Sequence, residues 1–183
     1  MARKLFNIAE CTDGQMVDIE TLHVVPNAAI LQIGACRFNI KTRETYDHFL
    51  VNIEPATCLE AGMVYSEETV KWWMTQSPEV IASLNVDKVS IQEALRQFDA
   101  WVRRGACISA WGVAFDMGIL TSAYHTILQK DTPWNFWDIF DGRTVGTLVG
   151  GKPERGSDAH NALADCIAQS EFLFDAFNPK DEE

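Results

Sequence analysis

No stretch of this chain limits its fold more than Met16-Val17-Asp18-Ile19-Glu20-Thr21-Leu22. Side chains alternate along a strand, so Asp18 and Glu20 point to one side and Val17 and Ile19 to the other. The interleaved apolar residues mark a strand with a buried face. Two carboxylates side by side on the opposite face repel each other unless a cation lies between them. Hard divalent ions such as Mg²⁺ are held through carboxylates and water. Asp-x-Glu is also common on solvated surfaces, so the pattern gains meaning only from what the rest of the chain supplies.

The 183 residues suffice for one domain with a substantial core, and 47% hydrophobic with 22% charged residues is an ordinary globular composition. No repeat, low-complexity tract or bilayer-length apolar run is visible. The basic start lacks a signal-length apolar stretch, so no leader is expected. Five cysteines (Cys11, Cys36, Cys58, Cys107 and Cys166) are scattered without paired C-x-x-C spacing. That pattern suits free thiols in a reducing compartment better than disulfides or structural zinc, and the expected location is the cytoplasm, away from membranes. A formal net charge of −11 argues against a long footprint on duplex nucleic acid, where neutralised phosphates supply affinity. It leaves room for a protein that grips a few terminal nucleotides, with bound metal ions supplying positive charge locally.

Along the chain, residues 1–14 read as an extension. Leu5-Phe6-Asn7-Ile8 suggests a short strand, and Glu10 to Gln15 a turn. That leaves only Gln15-Met16-Val17 as lead-in to Asp18. Ala28 to Phe38 reads as a buried second strand, in which Gly34 admits a close backbone approach or marks a bulge. Thr45 to Ile53 reads as a third strand, and the short connections make the three an antiparallel meander. Ser66 caps a helix that runs toward Ser77-Pro78. A second, amphipathic helix starts near Ser90 and ends at Gly105. Ala106 to Trp111 is a fourth strand buried on both faces, followed by a helix from Asp116 to about Leu128. Asn135 to Phe140 is the fifth strand. A short apolar helix and the basic, glycine-rich loop 150–156 come next. A last helix spans His160 to Phe177, with Asp158 as the expected N-cap, and Asp181-Glu182-Glu183 forms an acidic tail. The domain is therefore placed at 15–178 and the tail at 179–183. The expected fold is α/β: a mixed five-stranded sheet, three antiparallel strands then parallel ones, with helices on both faces.

That order brings three further residues toward Asp18 and Glu20. Asp116 lies at the turn from the fourth strand into a helix. Asp165 lies in the last helix beside the apolar Cys166 and Ile167. His160 precedes Asp165 by five positions, about 140° around an ideal helix, so it belongs in the loop or first turn, swung over the site that Asp165 faces. Each has an ordinary structural role open to it: Asp116 as a helix-start acid, Asp165 as the partner of a buried base, His160 as a surface residue. Their joint order is much harder to obtain by accident.

With these residues in place the sequence resembles the DEDDh 3′–5′ exonucleases of the ribonuclease H-like superfamily. It is most similar to the phage exonuclease A group and to small bacterial exoribonucleases. The resemblance covers about residues 15–177. It rests on Val-Asp-Ile-Glu-Thr-Leu at 17–22, Ala-Ala-Ile-Leu-Gln-Ile-Gly-Ala at 28–35, Trp-Trp-Met-Thr-Gln-Ser-Pro at 72–78, Trp-Gly-Val-Ala-Phe-Asp at 111–116, Asp-Gly-Arg-Thr at 141–144, and His160 to Asp165. It implies a ribonuclease H-like fold in which Asp18, Glu20, Asp116 and Asp165 hold two Mg²⁺ or Mn²⁺ ions. In that scheme His160 is the general base and nucleoside 5′-monophosphates leave the 3′ end of DNA or RNA. The implied partner is a single-stranded nucleic acid or a 3′ overhang. A binding protein that keeps the fold without turnover is the alternative, against which the complete set of five positions counts.

By the same resemblance Thr21 and Leu22 contact the terminal nucleotide. Trp73 and Gln76, one turn apart, are candidates to flank a base, although one of Trp72 and Trp73 is expected in the core. Arg143 contacts phosphate or pairs with Asp141. Lys152 and Arg155 lie on a loop that either covers the strand end or is a solvated linker. Many relatives are homodimers, and exposed aromatics on the Trp72–Trp73 helix are the expected interface.

Overall fold

In the computed structural model, which describes residues 7–154, 156 and 160–179, Met16–Leu22 falls in and just beyond the central strand of a five-stranded sheet. The strands are β1 (Gly14–Thr21), β2 (Ile30–Asn39), β3 (Glu44–Asn52), β4 (Ile108–Ala110) and β5 (Ile139–Asp141). Their order is β3-β2-β1-β4-β5. β1–β2 and β2–β3 are antiparallel, and β1–β4 and β4–β5 are parallel. This is the mixed sheet expected from the sequence.

Seven α-helices surround it among the described residues: α1 (Pro55–Glu60), α2 (Glu67–Trp73), α3 (Pro78–Ser83), α4 (Ile91–Trp101), α5 (Asp116–Ala123), α6 (Gly142–Val149) and α7 (Ala162–Phe177). Ser66, Ser77 and Ser90 cap α2, α3 and α4, each hydroxyl accepting from the backbone N–H three residues on at 3.3 Å. No helix among the described residues is long and apolar enough to cross a membrane.

The period of two divides the core. Val17, Ile19, Ile33 and Ala35 pack with Leu95 and Phe98 of α4 and Met117 and Leu120 of α5. Met16, Cys36 and Phe38, of opposite parity, pack with Cys166, Leu173 and Phe174 of α7. Asp18 and Glu20 share the parity of Met16 and so lie on the α7 side. Gly34 is the register partner of Asp18. A Cβ on Gly34 would stand 2.3 Å from the carbonyl carbon of Ala162 and 2.4 Å from the nitrogen of Leu163. The first turn of α7 thus rests on the bare backbone of β2, the close approach that Gly34 suggested.

Several boundaries differ from expectation. β1 begins at Gly14 and pairs from Gly14↔Phe38 to Thr21↔Ile30, so its lead-in is longer than residues 15–17. Ile8–Glu10 is a 3₁₀ turn rather than the end of a strand. Cys11 is buried with Met16 and Phe38, and its carbonyl accepts from Ile40 N–H at 2.9 Å. α2 stops at Trp73, and Pro78 opens α3 at its first turn, where a missing N–H is harmless. α1, likewise opened by a proline, was not expected at all. α4 stops at Trp101, with Gly105 in a later turn at φ +80°. Phe136–Asp138 is a 3₁₀ turn and the fifth strand starts only at Ile139. The cap of α7 is Asn161, whose Oδ1 accepts from Ala164 N–H at 3.1 Å, not Asp158. Asp158, Arg155, Leu5, Phe6 and the acidic tail 181–183 lie outside the described residues. All five cysteines are buried free thiols.

Candidate active site

A cavity of about 180 Å³ collects the five residues Asp18, Glu20, Asp116, His160 and Asp165, along with Trp111, Phe115, Arg143 and Gln169. β1 contributes Asp18 and Glu20 from the face turned to α7. Asp116 opens α5, directly after the β4 turn, and its Oδ1 accepts from the Ile19 backbone N–H at 3.2 Å. That bond ties the turn after β4 to the strand bearing the first two carboxylates. Asp165 is buried in the first turn of α7, which the Gly34 contact brings down onto the sheet.

His160 lies in the turn before α7, with φ +70°, and its backbone N–H donates to Asp165 Oδ2 at 3.3 Å. The turn placement meets the angular requirement set by the five-residue spacing. One side-chain ligand atom each of Glu20, His160 and Asp165 lie within 4.8 Å of one another. A set of hard carboxylate oxygens with one imidazole suits a divalent cation.

The electrostatics point the same way. Burial pushes the Asp18 carboxyl well above its usual range, and the nearby Asp116, Glu20 and Asp165 push it further, while a hydrogen bond from Gln169 opposes them. Asp116 is raised to about 7, chiefly by burial; the Ile19 N–H and the Arg143 guanidinium act in the opposite sense. Carboxylates that resist ionisation through burial and mutual repulsion are stabilised in the charged form by a cation.

Arg143 does not pair with Asp141. Asp141 caps α6 through Thr144 N–H at 3.1 Å and accepts from Val113 N–H at 3.1 Å. The Arg143 Nε donates to the Trp111 carbonyl at 3.1 Å, holding the side chain over the β4–α5 turn and in the cavity wall.

The other expected substrate contacts lie outside the lining of this cavity. Thr21 is buried and its hydroxyl donates to the His23 carbonyl at 2.6 Å. Leu22 N–H donates to the Ala29 carbonyl. Trp73 is the core member of the tryptophan pair: 5% exposed, packed with Leu31, Val80 and Leu84, its indole N–H donating to the Thr21 carbonyl at 2.8 Å. The Gln76 amide turns back to the Trp72 carbonyl at 3.1 Å. Trp72 is 42% exposed, and its ring stands edge-on to His160 with centroids 4.9 Å apart. Helix phase carried this signal, since Trp73 shares a face with the apolar Val70 three residues earlier and Trp72 shares one with the charged Glu68 four residues earlier. Gln169 was missed altogether, although it lies one turn beyond Asp165 on the same face of α7. Lys152 borders a neighbouring cavity of about 720 Å³ that also touches Trp111, Asp165 and Gln169.

A family model described as a 3′-5′ exoribonuclease Rv2179c-like domain matches residues 13–175. No curated protein matches the sequence significantly. Among solved structures, the chain is similar to the zinc-bound Escherichia coli exonuclease I–ssDNA complex, with 14% identity and a TM-score of 0.64 over 93% of this chain and 42% of that one. It is similar to the exonuclease I of Methylocaldum szegediense at 16% identity and TM-score 0.64, again over 93% and 42%. The E. coli enzyme in complex with a dT13 oligonucleotide matches at 14% identity and TM-score 0.63, over 89% and 40%. The chain spans about two fifths of the length of these neighbours, and at such identities the likeness is one of fold.

Proposed function

The chain belongs to the Rv2179c-like 3′–5′ exoribonuclease domain family, and on that premise we propose that it is a metal-dependent exonuclease removing nucleoside 5′-monophosphates from single-stranded 3′ ends. One observation carries the proposal: four carboxylates and a histidine from β1, α5 and the start of α7 meet in one cavity, with the Asp18 and Asp116 carboxyls held above their usual range. Asp18, Glu20, Asp116 and Asp165 are the proposed holders of two Mg²⁺ or Mn²⁺ ions, which when bound neutralise charge on the scissile phosphate and acidify water.

The protein's own groups then have distinct tasks. His160, in the turn above Glu20 and Asp165, accepts the proton of the attacking water, a task for which imidazole is suited near neutral pH. Arg143, anchored on the Trp111 carbonyl, offers its remaining guanidinium N–H donors to a phosphate. Trp72, half turned to solvent beside His160, takes the role of stacking platform for which Trp73 was the sequence candidate. RNA is the proposed substrate, on the family description. Single-stranded DNA is the second candidate, favoured by the oligonucleotides bound to the solved neighbours.

The test is a gel time course on 3′- and 5′-labelled RNA and DNA of one sequence, in Mg²⁺, Mn²⁺ or chelator, with Asp18→Ala alongside. The expected result is a ladder that shortens from the 3′ end, faster on RNA, and is absent in chelator and in the variant. Intact strands in every metal, with retention of the oligonucleotide on a native gel, would replace the proposal with a binding protein on the same fold.

A further inference from the structure

Gln169 has no place in the set of five residues, yet it makes the side-chain hydrogen bond that Asp18 receives. Its Nε2 donates to Asp18 Oδ1 at 2.8 Å, from a residue only 4% exposed, one helical turn beyond Asp165. The other half of the amide finds nothing: Gln169 Oε1 is buried without a hydrogen-bond partner among the described residues. An unsatisfied buried carbonyl costs stability, so the favourable contribution of this amide comes through its nitrogen. The chemistry of the neighbourhood explains why the donor is a neutral amide. A glutamate at 169 would add another carboxylate to Asp18, Glu20, Asp116 and Asp165, and an apolar side chain would leave Asp18 Oδ1 without its donor.

We propose that Gln169 is a positioning residue for Asp18: its side-chain amide fixes the rotamer of that carboxylate and so presets the cation site. The proposal rests on the exonuclease assignment only in taking Asp18 as a metal ligand. Groups that orient metal ligands from behind influence affinity as well as turnover, so a readout independent of catalysis is available.

Mn²⁺ binding to the full chain is followed by electron paramagnetic resonance of the free ion, beside kcat and KM on a labelled oligonucleotide and thermal melting. The variants are Gln169→Met, close in shape but without a donor, and Gln169→Asn, which keeps the amide but is one methylene short. Gln169→Met is expected to fold, to bind Mn²⁺ about 10–100-fold more weakly and to lose kcat on a similar scale, with KM for the oligonucleotide within about twofold. Gln169→Asn is expected to move the same way and carries the test if Gln169→Met fails to fold. Ser170→Ala removes a neighbouring buried hydrogen bond, Ser170 Oγ to the Cys166 carbonyl at 2.8 Å, and should leave Mn²⁺ affinity unchanged. A folded Gln169 variant with wild-type Mn²⁺ affinity and kcat would overturn the proposal, as would an equal loss of affinity in Ser170→Ala. Failure of the underlying assignment looks different: wild type and Asp18→Asn would then be alike in Mn²⁺ binding.

Discussion

Replacing Gly34 by alanine tests whether the backbone contact beneath α7 sets the geometry of the cavity. The added methyl carbon would meet Ala162 C at 2.3 Å, Leu163 N at 2.4 Å and Ala162 O at 2.6 Å, all backbone atoms that no rotamer change can move. Relieving such an overlap requires the first turn of α7 to lift by about 1 Å, and overpacking of this kind costs roughly 1–3 kcal/mol. The same lift stretches three contacts between α7 and the sheet: Ala162 N–H to Gln32 Oε1 at 2.8 Å, Cys166 Sγ to the Gly34 carbonyl at 3.3 Å, and Gln169 to Asp18 at 2.8 Å. For a domain of this size the melting temperature should fall by about 3–10 °C. Because Asp165 and His160 move relative to Asp18 and Glu20, kcat/KM on a labelled oligonucleotide should fall by roughly 100-fold at a temperature where the variant is fully folded. Gly118→Ala is the control: nothing lies within 4 Å of its Cβ position, and in helix α5 it should be neutral or gain a few tenths to about 1 kcal/mol. A Gly34→Ala protein that melts with wild type refutes the steric argument. One that melts early but keeps full kcat/KM refutes the link from contact to site.

Three other outcomes follow from the same geometry. Without metal, the Asp116 carboxyl at about 7 against a usual 3.8 means that the native state binds the extra proton between those values; stability is full below about pH 4 and falls by up to roughly 4 kcal/mol by pH 7 and above. Scanning fluorimetry in chelator should show that fall, divalent ions should flatten it, and Asp116→Asn should remove much of it while abolishing activity; a melting temperature rising from pH 5 to 8 in chelator would contradict this. Trp73→Phe, which leaves the buried Thr21 carbonyl without its indole donor, should cost about 1–3 kcal/mol, whereas Trp72→Ala, which loses edge-on ring contacts to Trp73 and His160, should cost about 0.5–1.5 kcal/mol and raise KM for the oligonucleotide, as read by melting and by steady-state rates. Asn161→Ala removes the cap of α7 and should cost about 1 kcal/mol in a denaturant titration.

What the sequence made legible followed from strong local rules. Period two separated Asp18 and Glu20 from Val17 and Ile19, the cap at Ser66 declared one helix, and three-to-four apolar spacing after Ser90 declared another. Gly34 stood out because a glycine in the middle of an apolar strand asks for a reason. The misses have physical causes as well. Pro78 marks the end of one helix and is equally the first residue of another, since its fixed φ and missing N–H suit that position; Pro55, at the opening of α1, is the same kind of start signal. Phe136 and Trp137 have strand-like side chains, but Asn135 starts a 3₁₀ turn and only residues 139–141 pair with β4. In the tryptophan pair, residue type could not separate the core member from the exposed one, whereas helical phase could. Gln169 gave no signal of its own because a glutamine in a helix is ordinary until its partner is known.

The cavity lies where an apolar cluster ends. Along the α7-facing side of β1, Met16 is buried against Cys166, Leu173 and Phe174, and the next residues of that parity are Asp18 and Glu20. α7 makes the complementary change: its later turns pack in that cluster, and its first turn brings Asp165 to the same cavity. Four carboxylates cannot gather themselves, since each raises the free energy of ionising the others. Position is therefore imposed by groups other than the carboxylates themselves: by the apolar cluster beneath the cavity, by Gly34 admitting the helix backbone, and by the neutral donors Ile19 N–H and Gln169 in its wall, which hold Asp116 and Asp18. Because those constraints do not require the carboxylates to be charged, the fold should survive neutralising them one at a time, and the charge that makes the cavity unfavourable when empty becomes available to a cation.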